Sequence, residues 1–176
     1  MDPLPHPPRN FRDIVESDLR RAARLIIQIQ DEIDWQVRMA TPEGDYHLSV
    51  TMPCDATERT VMMRRLETFM QWKRASAFAL AVEIYEPDGV YAVGISKAKR
   101  AHCQARIRRN PKPWTAANFE TVTWLPEEAV DPALAAILPI PARGLTPKEV
   151  SGLEPWFGVT GRFPAVHVPT LEVRGL

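Results

Sequence analysis

Between Phe11 and Ile33, the apolar positions Phe11, Ile14, Val15, Leu19, Ala22, Ile26, Ile29 and Ile33 follow a helical spacing. Arg12, Glu16, Arg20, Arg24 and Asp31 take the opposite side. This is the 3.6-residue period of a helix with one buried stripe, and it predicts a helix over 11–33. Asn10 stands where an N-cap belongs, and Asp13 in the first turn suits the positive end of the helix dipole. The period then changes to two. Trp35, Val37 and Met39 alternate with Gln36 and Arg38; Tyr46, Leu48, Val50 and Met52 alternate with His47, Ser49 and Thr51; Pro42, Glu43, Gly44 and Asp45 lie between. Alternation on both sides of a Pro-Gly turn predicts a β-hairpin with one face on a helix and the other polar.

A helical period returns at Met62, Leu66, Phe69 and Met70, introduced by Asp55 and Glu58 in the spacing of a capping box. It predicts a helix over 56–74. The stretch AFALAVEIYEPDGVYAVGIS is almost continuously apolar around Glu86-Pro87-Asp88-Gly89. Two strands over 77–85 and 90–95, covered on both faces in the middle of a sheet, account for it.

The next stretch, ISKAKRAHCQARIRRNPKPW, admits two patterns. As a strand, Cys103, Ala105 and Ile107 alternate with Gln104, Arg106 and Arg108; as a helix, Ser96 is the cap and Ala98, Ala101 and Ala105 form a narrow stripe. Ala, Lys, Arg and Gln favour helices and Asn110-Pro111 is a natural stop, so the expectation is a helix over 97–109. FETVTWL then reads as a strand, DPALAAIL as a short helix capped by Asp131, and TPKEVSGLEPWFG as a further short helix with Thr146 as cap and Glu149 completing the box. Residues 159–176 are spaced by Pro and Gly and are expected to drape over the domain.

The order α-β-β-α-β-β-α-β-α-α implies an α+β fold in a single domain, with a mixed, largely antiparallel sheet of about five strands packed with helices. The chain has 176 residues, 45% hydrophobic and 25% charged, which suits a single packed domain. Proline, at 17 residues, gathers at the two ends. Three regions follow: a Pro-rich arm over 1–10, a core over 11–140, and a Pro/Gly-rich extension over 141–176 that contains a short helix and packs on the core. Two cysteines make no disulfide framework, and prolines occupy the place of a signal peptide's apolar core. The expected location is cytoplasmic, with no membrane partner.

Lys plus Arg and Asp plus Glu are both 22, which removes long-range steering toward nucleic acid and leaves a local patch. That patch is Lys97, Lys99, Arg100, Arg106, Arg108, Arg109 and Lys112, followed by Trp114. Charges that track a phosphate backbone beside a stacking ring are the chemistry of a nucleic-acid surface. The acidic segment Glu120, Glu127, Glu128 and Asp131 offers internal compensation for the same charges. His6, His47, His102 and His167 lack a close histidine partner, and no pair of cysteines has ligand spacing, so no metal and no cofactor are expected. Cys54, just before a helix, is the candidate nucleophile, with His47 as its base. Trp156, Phe157 and Phe163 form a candidate docking patch for another protein. The primary expectation is a non-catalytic protein-binding or accessory domain that contacts another protein or itself. Nucleic-acid binding through 97–114 is the alternative, and a cysteine-dependent hydrolase or transferase using Cys54 the second alternative.

Overall fold

The computed structural model describes residues 10–29, 31–42, 44–86, 88–96, 99–108, 119–132, 146–153 and 157–162. The fold is α+β, a single domain built on an antiparallel sheet. Helix α1 (Phe11–Ile29) leads into the hairpin of β1 (Trp35–Thr41) and β2 (Gly44–Val50). Helix α2 (Ala56–Lys73) crosses to β3 (Ala77–Tyr85), which runs into β4 (Asp88–Ser96), β5 (Arg100–Arg106) and the short β6 (Thr123–Leu125). A 3-10 turn follows at Glu127–Ala129, and the last described elements are α3 (Pro147–Leu153) and β7 (Phe157–Arg162). The spatial order is β6-β5-β4-β3-β1-β2-β7. Every pairing between these strands is antiparallel, so among the described residues the sheet is antiparallel and not mixed.

Among the described residues the sheet has seven strands where the sequence suggests about five. One of the added strands is β5. Residues 100–106 do not form the expected helix; they pair with Gly89–Ile95 of β4, with Cys103 beside Ala92. The Ser96 signal was real but closed a different structure. Its Oγ accepts from the Lys99 N–H at 3.0 Å, as a helix cap would, while its own N–H donates to the Lys99 carbonyl at 2.8 Å and turns the chain back. The other added strand is β7, which pairs with β2 and breaks register between His47 and Leu48. Helix α1 ends at Ile29, short of the expected 33. The expected arm over 1–10, apart from Asn10, and the helix after Asp131, apart from Pro132, fall outside the described residues.

Strand alternation sends two different sets of side chains to the two faces. On one face Val37, Met39, Tyr46, Leu48, Phe78, Leu80, Val93 and Ile95 pack with Met62, Leu66, Phe69 and Met70 of α2. On the other, Ala40, Ala77, Ala79, Ala81, Ala92, Ala101 and Ala105 form a floor of small residues under α1. The floor lets α1 lie close: a Cβ built on Gly94 would stand 2.4 Å from Cγ2 of Val15 and 3.1 Å from Cζ of Phe11. Burial of each large side chain is worth about 1.5–3 kcal/mol, and both faces contribute.

The capping patterns form as the sequence predicts. Asp13 N donates to Asn10 Oδ1 at 2.9 Å, Glu58 N to Asp55 Oδ1 at 2.8 Å, and Glu149 N to Thr146 Oγ1 at 3.3 Å. Helix α2 ends with Arg74 in the left-handed region at φ 54°, its N–H and that of Ala75 returning to the last carbonyls.

Candidate functional site

Two features gather functional side chains: a buried charged cluster between α1 and the hairpin, and a groove along the other flank of α1. The cluster begins with alternation. Arg38 on β1 and His47 on β2 are cross-strand partners, and Asp45 is one place further along the same face. This polar face of the hairpin is not solvated. The flank of α1 covers it and brings Asp18 and Arg21, one turn apart, against it. Asp18, Arg38, Asp45 and His47 are all buried, Asp45 to 1% exposure. Arg38 Nη2 meets Asp18 Oδ1 at 2.9 Å, and its Nη1 lies 3.8 Å from Asp45 Oδ2, an ion pair without a hydrogen bond.

Arg21 Nη1 contacts His47 Nδ1. A guanidinium only donates, so a hydrogen bond between them requires Nδ1 as the acceptor, without a proton. Burial first, then the charges of Arg38 and Arg21, push the His47 pKa down to about 3. Burial first pushes Asp45 up to about 6, opposed by Arg38 and reinforced by Asp18. A small cavity beside Gln36, Arg38 and His47 has a volume of about 10 Å³, the space of a single water rather than of a substrate.

The groove runs along the flank of α1 nearest β5 and has a volume of about 510 Å³. Asp13, Glu16, Arg20, Ala23 and Ile27 line it from the helix and Phe119 from beyond β5. Its surface is partly self-organised: Arg20 pairs with Glu16 at 2.7 Å and lies over the Phe119 ring at 5.1 Å, while Arg12 lies over Trp124 at 5.0 Å. These cation–π contacts fasten the chain after β5 to α1.

Cys54 and His47 are not brought together by any contact among the described residues. His47 points toward α1, whereas Cys54 precedes α2 on the opposite side of the sheet. The Cys54 thiol is exposed, but its pKa is raised, first by the charge of Glu58, then by a hydrogen bond to Glu58, burial, Asp55 and Glu32. The Glu58 carboxylate also accepts the Cys54 N–H at 2.8 Å. Cys103 is buried under α1 and its thiol is pushed up to about 12, first by burial. His102 is a structural pin: Nε2 donates to the Pro126 carbonyl at 2.6 Å and Nδ1 bonds the Tyr91 hydroxyl at 2.9 Å.

Of the basic stretch, Arg100 and Arg106 are exposed on one face of β5, Lys99 is half-buried in the turn, and Arg108 is exposed beyond the strand. The acidic segment lies alongside them. Arg108 Nε pairs with Glu120 at 3.1 Å, and Glu127 Oε1 accepts the Arg100 backbone N–H at 3.3 Å. Lys97, Arg109, Lys112, Trp114, Trp156 and Phe163 lie outside the described residues, and Phe157 opens β7. Among the described residues no group of three or more His, Cys, Asp or Glu is placed to hold a metal ion, and no helix is long and apolar enough to cross a membrane.

Asp18, Arg38 and Asp45 were not singled out as site residues in the sequence. The available signal was Asp18, an acidic residue inside the apolar stripe of α1. No family model matches this chain, and comparison with curated proteins and with solved structures found no match.

Proposed function

We propose that this chain is a non-catalytic protein-binding domain that takes a peptide segment of another protein into the groove along α1. The groove itself carries the reading. Among the described residues it has room for several side chains, and it is lined by the apolar Ile27 and Phe119 between acidic Asp13 and Glu16 and basic Arg20 and Arg24. Such a surface accepts an apolar anchor and orients it through charges of both signs at the rim. The states of the reactive groups support the same reading. The rings of His47 and His102 are spent on structural bonds, and the acidic neighbours of Cys54 disfavour a thiolate. A cytoplasmic location belongs to this proposal.

The nucleic-acid alternative uses the basic 97–114 segment; of its described members Lys99, Arg100, Arg106 and Arg108, Arg108 is already paired with Glu120. The test is affinity capture from native lysate with the full chain, Ile27→Glu in the groove and Val61→Glu on exposed α2. A stoichiometric partner retained by wild type and Val61→Glu, and lost with Ile27→Glu, is the expected result. Capture unaffected by Ile27→Glu, or capture of nucleic acid alone, overturns the proposal.

A further inference from the structure

The charged cluster takes no part in the groove, and its chemistry has a consequence of its own. Among the described residues, the groups placed against Asp45 and His47 come from β1, α1 and β7. Strand β1 supplies Arg38, α1 supplies Asp18 and Arg21, and β7 places Gly161, which has no side chain, across from His47. Two carboxylates therefore share the Arg38 guanidinium, while the second guanidinium is held by an imidazole that must stay unprotonated to accept it. Protonating His47 would break the Arg21 contact and set a third cation against Arg21 and Arg38 in a buried space.

We propose that Asp18, Arg21, Arg38, Asp45 and His47 form a proton-compensated clasp between α1 and the β1–β2 hairpin, which holds through mild acid and opens only when His47 itself is protonated. The compensation follows from opposite shifts on neighbouring residues. Asp45 rises from 3.8 to about 6, so between those values the folded chain keeps a proton that the unfolded chain has lost. Asp45 alone would make folding less favourable as pH rises through that window. His47 falls from 6.5 to about 3, so over the same window the unfolded chain holds a proton that the folded chain lacks. His47 alone would make folding more favourable as pH rises. Each is one proton, and between about pH 4 and 6 the two slopes cancel. Below about pH 4 both states of Asp45 are protonated, only the His47 slope remains, and the clasp is lost toward pH 3.

The test is urea unfolding of the full chain between pH 4 and 6 for wild type, Asp45→Asn, His47→Gln and the double variant. Relative to wild type, the unfolding constant of Asp45→Asn should fall about tenfold per pH unit as pH rises, and that of His47→Gln should rise about tenfold per unit. The ratio for the double variant should stay flat. Single-variant ratios that do not change with pH overturn the clasp. Nitrogen NMR of the wild-type His47 ring decides the matter even if the variants do not fold. An unprotonated Nδ1 with no titration between pH 5 and 8 is expected, and a midpoint near 6.5 overturns the proposal.

Discussion

Arg38 carries more of this fold than its place in an alternating strand suggests. Its guanidinium neutralises Asp18 and stands 3.8 Å from Asp45, both buried, so its removal takes away the cation that these buried carboxylates share. Arg38→Met is expected to destabilise the protein by about 3–5 kcal/mol, as loss of one member of a buried ion pair does. Adding Asp18→Asn and Asp45→Asn should recover much of that loss, because both carboxylates that Arg38 served are then neutral. Urea unfolding at pH 7 checks both statements, and equal stability of wild type and Arg38→Met would remove the cluster's structural role. The alternation of the hairpin revealed which face Arg38, Asp45 and His47 share. It did not reveal that α1 covers this face, because that depends on where a helix distant in sequence comes to rest.

At the scale of elements, signals that depend on neighbours in sequence were legible. The capping pairs Asn10–Asp13, Asp55–Glu58 and Thr146–Glu149 all form, since a side chain three residues from an open N–H reaches it in almost any surroundings. Strand β5 was misjudged for the complementary reason. Its alanines suggested a helix by propensity, but Ala101 and Ala105 are small because α1 lies over them. Pairing with β4 and cover by α1 outweigh an intrinsic preference of a few tenths of a kcal/mol per residue. The same close approach predicts the cost of a single methyl group. Gly94→Ala should destabilise by about 1–3 kcal/mol, because Val15 and Phe11 on α1 must shift to admit it. Thermal unfolding measures this, and an unchanged midpoint would mean that α1 sits higher over the sheet.

Over the whole molecule the balance of 22 basic and 22 acidic residues has a local counterpart. The basic positions of β5 and the acidic segment after it are folded side by side, where Arg108 meets Glu120. The pair is exposed, with 65% and 38% of the side-chain surfaces accessible, so its bond adds little to stability. Glu120→Gln should therefore change the unfolding free energy by less than about 1 kcal/mol while leaving the surface more basic. A larger loss in a denaturation curve would show that the pair fastens the segment. The sequence by itself determined the α+β class, the first hairpin, the starts of α1, α2 and α3 and the central place of β3 and β4, because periodicity and capping are written in residues a few positions apart. Only the tertiary structure decided that 100–106 is a strand, that β7 closes the sheet beside β2, and that Asp18, Arg38, Asp45 and His47 meet. Those outcomes depend on the free energy of contacts between distant segments, for which a local pattern carries no term.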